Sequence, residues 1–285
     1  MGNKIQRFHF SVLIYTSQYI FTVYSIFFLC IVGFSMFINL ILLQFATTLG
    51  IREKEAPIIR WSSISKPALG GLSFYIAFLL STACFSVFFE DTKVFQDAKV
   101  LGYLFTTALA FLMGLADDAY DTKPLLKFLI QFLCGISLVI SGTYIDIFEM
   151  NWMNYGLTIF WVVGIMNSIN MLDNMDGITT SVTLGITIAC ILSASFNGGF
   201  ATFEYISMLG ICAALLAFLF FNWHPSKMFM GDSGSQFLGM FLAYLSIKYL
   251  WNGTLYSEQD PAILQQFAQV LVAFVVPISD TASVF

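Results

Sequence analysis

Charge is what this chain has least of: 12 Lys and Arg against 17 Asp and Glu, 10% of its 285 residues. A soluble domain of this length carries about 25% charged residues, so a soluble fold is excluded, and no stretch looks like an appended soluble domain. The net charge of -5 and the lack of a basic stripe exclude nucleic acid as a partner, because nothing could neutralise phosphates along a duplex. Histidine is limited to His9 and His224, which excludes a histidine-based metal centre. Cys30, Cys84, Cys134, Cys190 and Cys212 lie inside apolar runs with no Cys-x-x-Cys spacing. Neither a disulfide framework nor a zinc site is expected from them. Any metal here must be a hard cation held by oxygen.

The N-terminus also lacks its usual signals. Gln6 stands where a myristoylation signal needs Ser or Thr. The first apolar run is too long for a signal-peptide core and has no small-residue cleavage site, so it reads as a retained helix.

What the chain has is apolar surface: 58% hydrophobic residues including 32 Phe, and a mean hydropathy of +0.83. A spanning helix needs about 20 mostly apolar residues. Nine runs qualify: 24–46, 70–89, 99–116, 124–141, 155–172, 178–195, 202–221, 233–250 and 262–284. Gly-Gly pairs at 70–71 and 198–199, Pro124 and Pro261 mark breaks between them. The expected fold is all-α, a polytopic integral membrane protein with about nine transmembrane helices forming one domain over 1–285.

Counting helices puts the segments 51–69, 117–123, 173–177 and 222–232 on one side of the membrane. That side holds Arg52, Lys54, Arg60, Lys66, Lys123, Lys127 and Lys227; the other holds Lys93, Lys99 and Lys248, plus Lys4 and Arg7 in the tail. The positive-inside tendency therefore puts those four segments in the cytoplasm. Acids on the other side (Glu90, Asp91, Asp97, Asp146, Glu149, Glu204, Glu258 and Asp260) are scattered without pattern.

Scarce acids cluster on the predicted cytoplasmic side. A carboxylate near lipid costs roughly 2.5–3.5 kcal/mol at a bilayer centre, which makes such residues functional candidates. Asp117 and Asp118 open a loop that continues through Asp121 to Pro124, with Lys127 and Gln131 in the next helix. Adjacent carboxylates raise one another's pKa, so one can serve as a base while both attract a divalent cation. A solvated acidic turn closed by Pro124 would look the same. In 167–177, Asn167, Asn170, Asp173 and Asp176 recur every three positions, which places them on one face where the chain is helical. Interhelical polar contacts are the alternative there. In 221–235, Gly231 and Gly234 flank Asp232 just before a helix start, where backbone amides favour an anion. A helix cap by Asp232 or Ser233 would produce a similar pattern. Together, oxygen ligands, lysines and an anion-friendly turn at the inner membrane surface suit phosphoryl transfer to a lipid.

The Asp-Asp of 117–118, the Asn-x-x-Asn-x-x-Asp-x-x-Asp-Gly of 167–177 and the Phe-Met-Gly-Asp-Ser-Gly-Ser of 229–235 resemble the polyprenyl-phosphate N-acetylhexosamine-1-phosphate transferases. The resemblance runs in the family's order from about Lys66 to the end of the chain. It implies transfer of HexNAc-1-phosphate from a UDP-sugar to polyprenyl phosphate with release of UMP, at the bacterial inner membrane, requiring Mg2+ or, in its place, Mn2+. It further implies that Asp232 and Asn170 hold the metal and that Asp117, with Asp118 beside it, handles the lipid phosphate. Asp173, Asp176 and Phe229 would lie near the nucleotide, with Asn167, Lys127, Lys227 and Gly231 as further substrate contacts. Asp121 stands where the branch making the muramyl-pentapeptide lipid has Lys. That and His224-Pro225-Ser226-Lys227 look more like the branch that starts teichoic-acid, O-antigen or enterobacterial-antigen-type glycans with GlcNAc-1-phosphate. The family's late histidine-bearing loop has no counterpart, so the chain is expected to be a C-terminally incomplete version of a longer protein with ten or more helices. The rival expectation is an ion-coupled secondary transporter, whose acids would lie near the bilayer midplane.

Overall fold

The structure, a computed structural model, describes residues 19–48, 67–89, 92–253 and 263–284. The N-terminal tail with Lys4, Arg7 and His9, the basic residues Arg52, Lys54, Arg60 and Lys66, and Glu90, Asp91, Glu258, Asp260 and Pro261 lie outside the described residues. Ten α-helices account for most of the rest: α1 (Ile20–Thr48), α2 (Gly70–Phe89), α3 (Ala98–Tyr120), α4 (Pro124–Ile140), α5 (Asn151–Leu172), α6 (Ile178–Phe196), α7 (Phe203–Asn222), α8 (Gly231–Ser246), α9 (Ile263–Ala273) and α10 (Val275–Val284). The described residues contain no strand; a single parallel bridge joins Ala68 to Phe229. The all-α membrane fold expected from composition is the one observed.

Each of the nine expected runs contains a helix, but they are not nine equal spans. Six helices (α1, α2, α3, α5, α6 and α7) are long and apolar enough to cross a bilayer, and a seventh span results if α9 and α10 count as one. That pair bends by 70° at its break, so the run 262–284 is not one straight rod. Helix α4 is apolar but only 17 residues long. Helix α8 is 16 residues long and continues into a π turn over Ile247–Trp251.

Helix α8 is the axis of the fold. From Ser233 to Ser246 it is buried all round, chiefly between α3 and α5. Its neighbours, not lipid, cover it, so it can carry Ser, Gln and Tyr in a row that a lipid-facing helix could not. Aromatic rings fill the space beside it: Tyr75 stacks on Phe111 with centroids 4.1 Å apart, and Tyr103 on Tyr244 at 4.0 Å. At Gly114 of α3, a Cβ would stand 2.2 Å from the carbonyl oxygen of Asp232, so the close approach of α3 to the start of α8 requires glycine.

The described parts of the segments predicted to share a membrane face (67–69, 117–123, 173–177 and 222–232) meet at one end of the bundle. The Phe229 amide donates to the Pro67 carbonyl at 3.0 Å, and the Gly70 amide to the Phe229 carbonyl at 3.1 Å. The Gly177 amide donates to Asn222 Oδ1 at 3.1 Å, and the Asp232 amide to Asp118 Oδ1 at 2.8 Å.

Candidate active site

At that end, Asp117 and Asp118 are not in a loop. Helix α3 continues to Tyr120, and Asp121 ends it in the left-handed conformation at φ 54°, its amide donating back to the Asp117 carbonyl. A 23-residue helix is about 34 Å long against a hydrocarbon core of about 30 Å, so its last turn reaches the boundary while still helical. Pro124 then starts α4 at its first turn, where a missing N–H costs nothing.

The two adjacent aspartates do not act as a pair, because successive helical residues point about 100° apart. Asp117 is buried; its Oδ1 accepts from the Thr122 amide at 2.9 Å and from the Thr122 hydroxyl, and its Oδ2 meets the Lys127 ammonium at 2.5 Å. Asp118 turns instead to α8, where Oδ1 and Oδ2 accept from the amides of Asp232 and Ser233 at 2.8 and 2.9 Å. The anion at the start of α8 is therefore this protein's own carboxylate. The amides read from sequence as a phosphate seat are already satisfied, and the helix dipole favours the charge that satisfies them. Gly231 permits this: its φ is +74°, and a Cβ there would stand 2.9 Å from Asp118 Oδ2.

Lys127 joins Asp117 to Asp232, reaching Asp232 Oδ2 at 3.3 Å. Asp232 Oδ1 accepts from Asn170 Nδ2, which also donates to Ser235 Oγ at 2.8 Å. Helices α3, α4, α5 and α8 each contribute to this cluster. Asp173, the C-cap residue of α5, is half-buried beside it. No hydrogen bond or ion pair among the described residues reaches its side chain, and burial, reinforced by the charges of Asp232 and Asp118, pushes its carboxyl up to about 8. The donors are all hard oxygen, the chemistry that suits Mg2+ or Mn2+ and disfavours zinc. A half-buried carboxylate with no counter-charge among the described residues, beside two others, is a place that favours a cation. Among the described residues no three such side chains already close round one point; Lys127 holds Asp117 and Asp232 in the meantime.

Other expected site residues lie outside the Asp117–Lys127–Asp232 chain. Asn167 lies one turn deeper than Asn170 and is half-buried; its amide donates to Gln131 Oε1 at 2.7 Å and to the Val163 carbonyl at 2.8 Å. Asp176 accepts from the Ser226 hydroxyl at 2.6 Å and the Ser226 amide at 3.0 Å, and lies 3.0 Å from His224 Nδ1, fastening the turn that follows α7. Phe229 is half-buried, with its backbone in the bridge to Ala68. Lys227 is exposed; its backbone amide donates to the Phe221 carbonyl at 2.7 Å, and its ammonium is not part of the Asp117–Asp232 cluster.

Three contributors have no assigned role in the sequence reading: Thr122, Asn222 and Gln236. Asn222 accepts from Gly177 and from the Thr180 hydroxyl, and donates to the Met228 carbonyl at 3.0 Å, so it holds two site segments together. Gln236 is fully buried, and its Oε1 accepts from Gln131 Nε2 at 3.1 Å while its own Nε2 has no acceptor among the described residues. Such an orphaned donor costs about 1–3 kcal/mol. Its sequence signal was an amide inside an apolar run, four residues after Asp232.

Acidic and amide side chains gathered at one end of an apolar helical bundle define a membrane protein with a polar cluster at its boundary. The sequence profile of glycosyl transferase family 4 matches residues 100–250, which contain all of this cluster, and the chain belongs to that family. It is 32% identical over 208 residues to the Bacillus subtilis (strain 168) protein named "Probable undecaprenyl-phosphate N-acetylglucosaminyl 1-phosphate transferase", a match covering 70% of this chain and 56% of that one. It is 31% identical over 217 residues to the phospho-N-acetylmuramoyl-pentapeptide-transferase of Aliarcobacter butzleri (strain RM4018), covering 64% and 59%. For the enzyme of the same name from Dictyoglomus thermophilum the figures are 30% over 211 residues, 68% and 63%. The chain thus spans about three fifths of the length of these relatives. Metal dependence belongs to the family, and the transporter alternative gains no support.

Proposed function

We infer that this protein transfers HexNAc-1-phosphate, with GlcNAc as the sugar, from a UDP-sugar to a polyprenyl phosphate such as undecaprenyl phosphate. The observation that carries this reading is the Asp117–Lys127–Asp232 chain with Asn170 at one end of the bundle. In the reaction, a phosphate oxygen of the lipid bonds to the sugar-bearing phosphorus of the nucleotide sugar. The bond from that phosphorus to UMP breaks, and UMP leaves with its electron pair.

Two phosphorylated reactants repel each other, so charge neutralisation and positioning are the main demands. Lys127 is the one ammonium shared by two site carboxylates and would carry positive charge toward the phosphates. Asp117, held by Thr122 and Lys127, is the group to orient or deprotonate the lipid phosphate. Asp232 and Asn170, with Asp173 close by, would hold Mg2+, which when bound supplies charge neutralisation for the diphosphate. Phe229 and the turn fastened by Asp176 would border the nucleotide. The site would face the cytoplasm, where nucleotide sugars are found; Lys123, Lys127 and Lys227 at this end accord with that orientation. The product would start a lipid-linked cell-envelope glycan.

The test is to incubate the purified protein with radiolabelled UDP-GlcNAc and undecaprenyl phosphate, with Mg2+ or with EDTA. Organic-extractable label that depends on Mg2+ is expected. Absence of a labelled lipid, or equal labelling in EDTA, overturns the reading.

A further inference from the structure

Beneath the charged cluster lies a second polar layer, built with the same helices in the same register. Lys127 and Gln131 are four residues apart on α4, Asp232 and Gln236 four apart on α8, and Asn170 and Asn167 three apart on α5. Helices α4 and α8 start at the site and α5 ends there, so each deeper residue is one turn, roughly 4.5–6 Å, further into the bundle. The three deeper side chains are all amides, and they bond to one another. Gln131 Nε2 donates to Asn167 Oδ1 at 3.3 Å and to Gln236 Oε1 at 3.1 Å, and Asn167 Nδ2 donates to Gln131 Oε1 at 2.7 Å. Gln131 is 1% and Gln236 0% exposed.

We propose that Gln131, Gln236 and Asn167 are positioning residues: an amide layer that fixes the rotation of α4, α5 and α8 about their axes and so aims Lys127, Asn170 and Asp232 at one point. The proposal rests on the reading of Asp232 and Asn170 as the metal-holding pair. Stability is a poor explanation for the layer, because Gln236 Nε2 is buried without an acceptor among the described residues, and an apolar side chain of the same length at 236 would leave no donor there unpaired. Amides also carry directional bonds in three directions without adding charge next to a carboxylate cluster, which an ion pair in the same place would do. Apolar packing would let each helix rotate by a few degrees; one turn above, that rotation moves a carboxylate out of reach of its partner.

The experiment uses the whole protein with Gln236→Met and Gln131→Met, and Ser246→Ala as a control on the same α5–α8 contact, where Trp161 Nε1 donates to Ser246 Oγ at 2.8 Å. Mn2+ binding is followed by electron paramagnetic resonance, thermal unfolding is followed without metal, and turnover is followed with UDP-GlcNAc and undecaprenyl phosphate. Supporting amides of this kind are worth about 10–100-fold in metal affinity or activity. Both methionine variants should bind Mn2+ at least about 10-fold more weakly and lose turnover in kcat with KM little changed; Gln236→Met should do so at an unfolding temperature equal to or above the parent's, whereas Gln131→Met, which leaves Gln236 and Asn167 without their shared partner, should unfold lower. Ser246→Ala should lose stability and keep its Mn2+ affinity. Unchanged Mn2+ affinity and turnover in both methionine variants overturns the proposal. So does a fall in the unfolding temperature of Gln236→Met as large as that of Ser246→Ala, or equal weakening of Mn2+ binding by Ser246→Ala, since either means general loosening. A parent that binds Mn2+ but transfers nothing refutes the proposed reaction and leaves the amide layer standing; a parent that binds no Mn2+ overturns both.

Discussion

At the far end of the bundle, Glu204 is 3% exposed and its Oε1 meets the Lys248 ammonium at 2.5 Å and the Tyr244 hydroxyl at 2.9 Å. At the site end, Asp117 and Asp232 share the ammonium of Lys127, Asp118 is matched by backbone amides, and Asp173 has no partner among the described residues. The two ends lie at opposite tips of α7 and α8, roughly 25 Å apart at 1.5 Å per residue. The far end is a closed account of one negative and one positive group, with Tyr103 stacked on Tyr244 to exclude water. Among the described residues, the site cluster carries more negative charge than its ion pairs match. A folded protein keeps such an excess only where something else, absent during folding, is meant to neutralise it.

The widest gap between the ends should appear on removing one carboxylate from each. Asp232→Asn is expected to cut transfer by about 10²–10³-fold, the scale of losing one group that stabilises developing charge, while the unfolding temperature stays level or rises. Glu204→Gln should leave turnover per folded molecule unchanged. Near-normal turnover in Asp232→Asn, assayed at limiting Mg2+, would break the contrast.

Removing the ammonium sharpens it next. Lys127→Met should lower turnover about 100-fold and also destabilise the metal-free protein, because Asp117 and Asp232 then face each other without a counter-charge. Mg2+ should recover more unfolding temperature in this variant than in the parent. Lys248→Met, by contrast, should destabilise by about 1–3 kcal/mol whether or not Mg2+ is present. That is below the figure for a fully buried pair because the ammonium is partly exposed. A Mg2+-dependent rescue of Lys248→Met would refute the assignment of the far end as purely structural.

The smallest effect is one of pH. The carboxyl of Asp173 is raised from 3.8 to about 8, chiefly by burial. Between those values the folded state binds the proton more tightly than the unfolded one, so metal-free stability falls as pH rises through this window and levels off above it. Asp173→Asn should remove the slope, raising the unfolding temperature at pH 8.5 and leaving it unchanged near pH 3.5. An unaltered slope in thermal scans across that range would show that Asp173 is not its source.

Helix positions were legible in sequence because lipid demands about 20 apolar residues in a row, a requirement each span meets by itself. Asp117, Asn170 and Asp232 stood out because polar groups at the end of such a run need a reason. The roles of Asp118, Asn167 and Asp176 were not legible. Asp118 carries the same group as Asp117, yet one helical step turns it to the amides of α8, 114 and 115 residues away in sequence. Asn167 continues the three-residue ladder of Asn170 but falls one turn deeper, where Gln131 rather than a ligand meets it. Glu204 and Lys248 looked scattered because their pairing joins positions 44 residues apart.

By itself, then, the sequence determined that the chain forms a membrane bundle with its acids at helix ends, since hydropathy is a property of contiguous residues. Only the tertiary structure decided which carboxylate is matched and by what. Hydrogen bonds and ion pairs act over about 3 Å, and whether two side chains on different helices come that close depends on the rotation and approach of those helices, set here by small residues such as Gly114 and by the burial of α8.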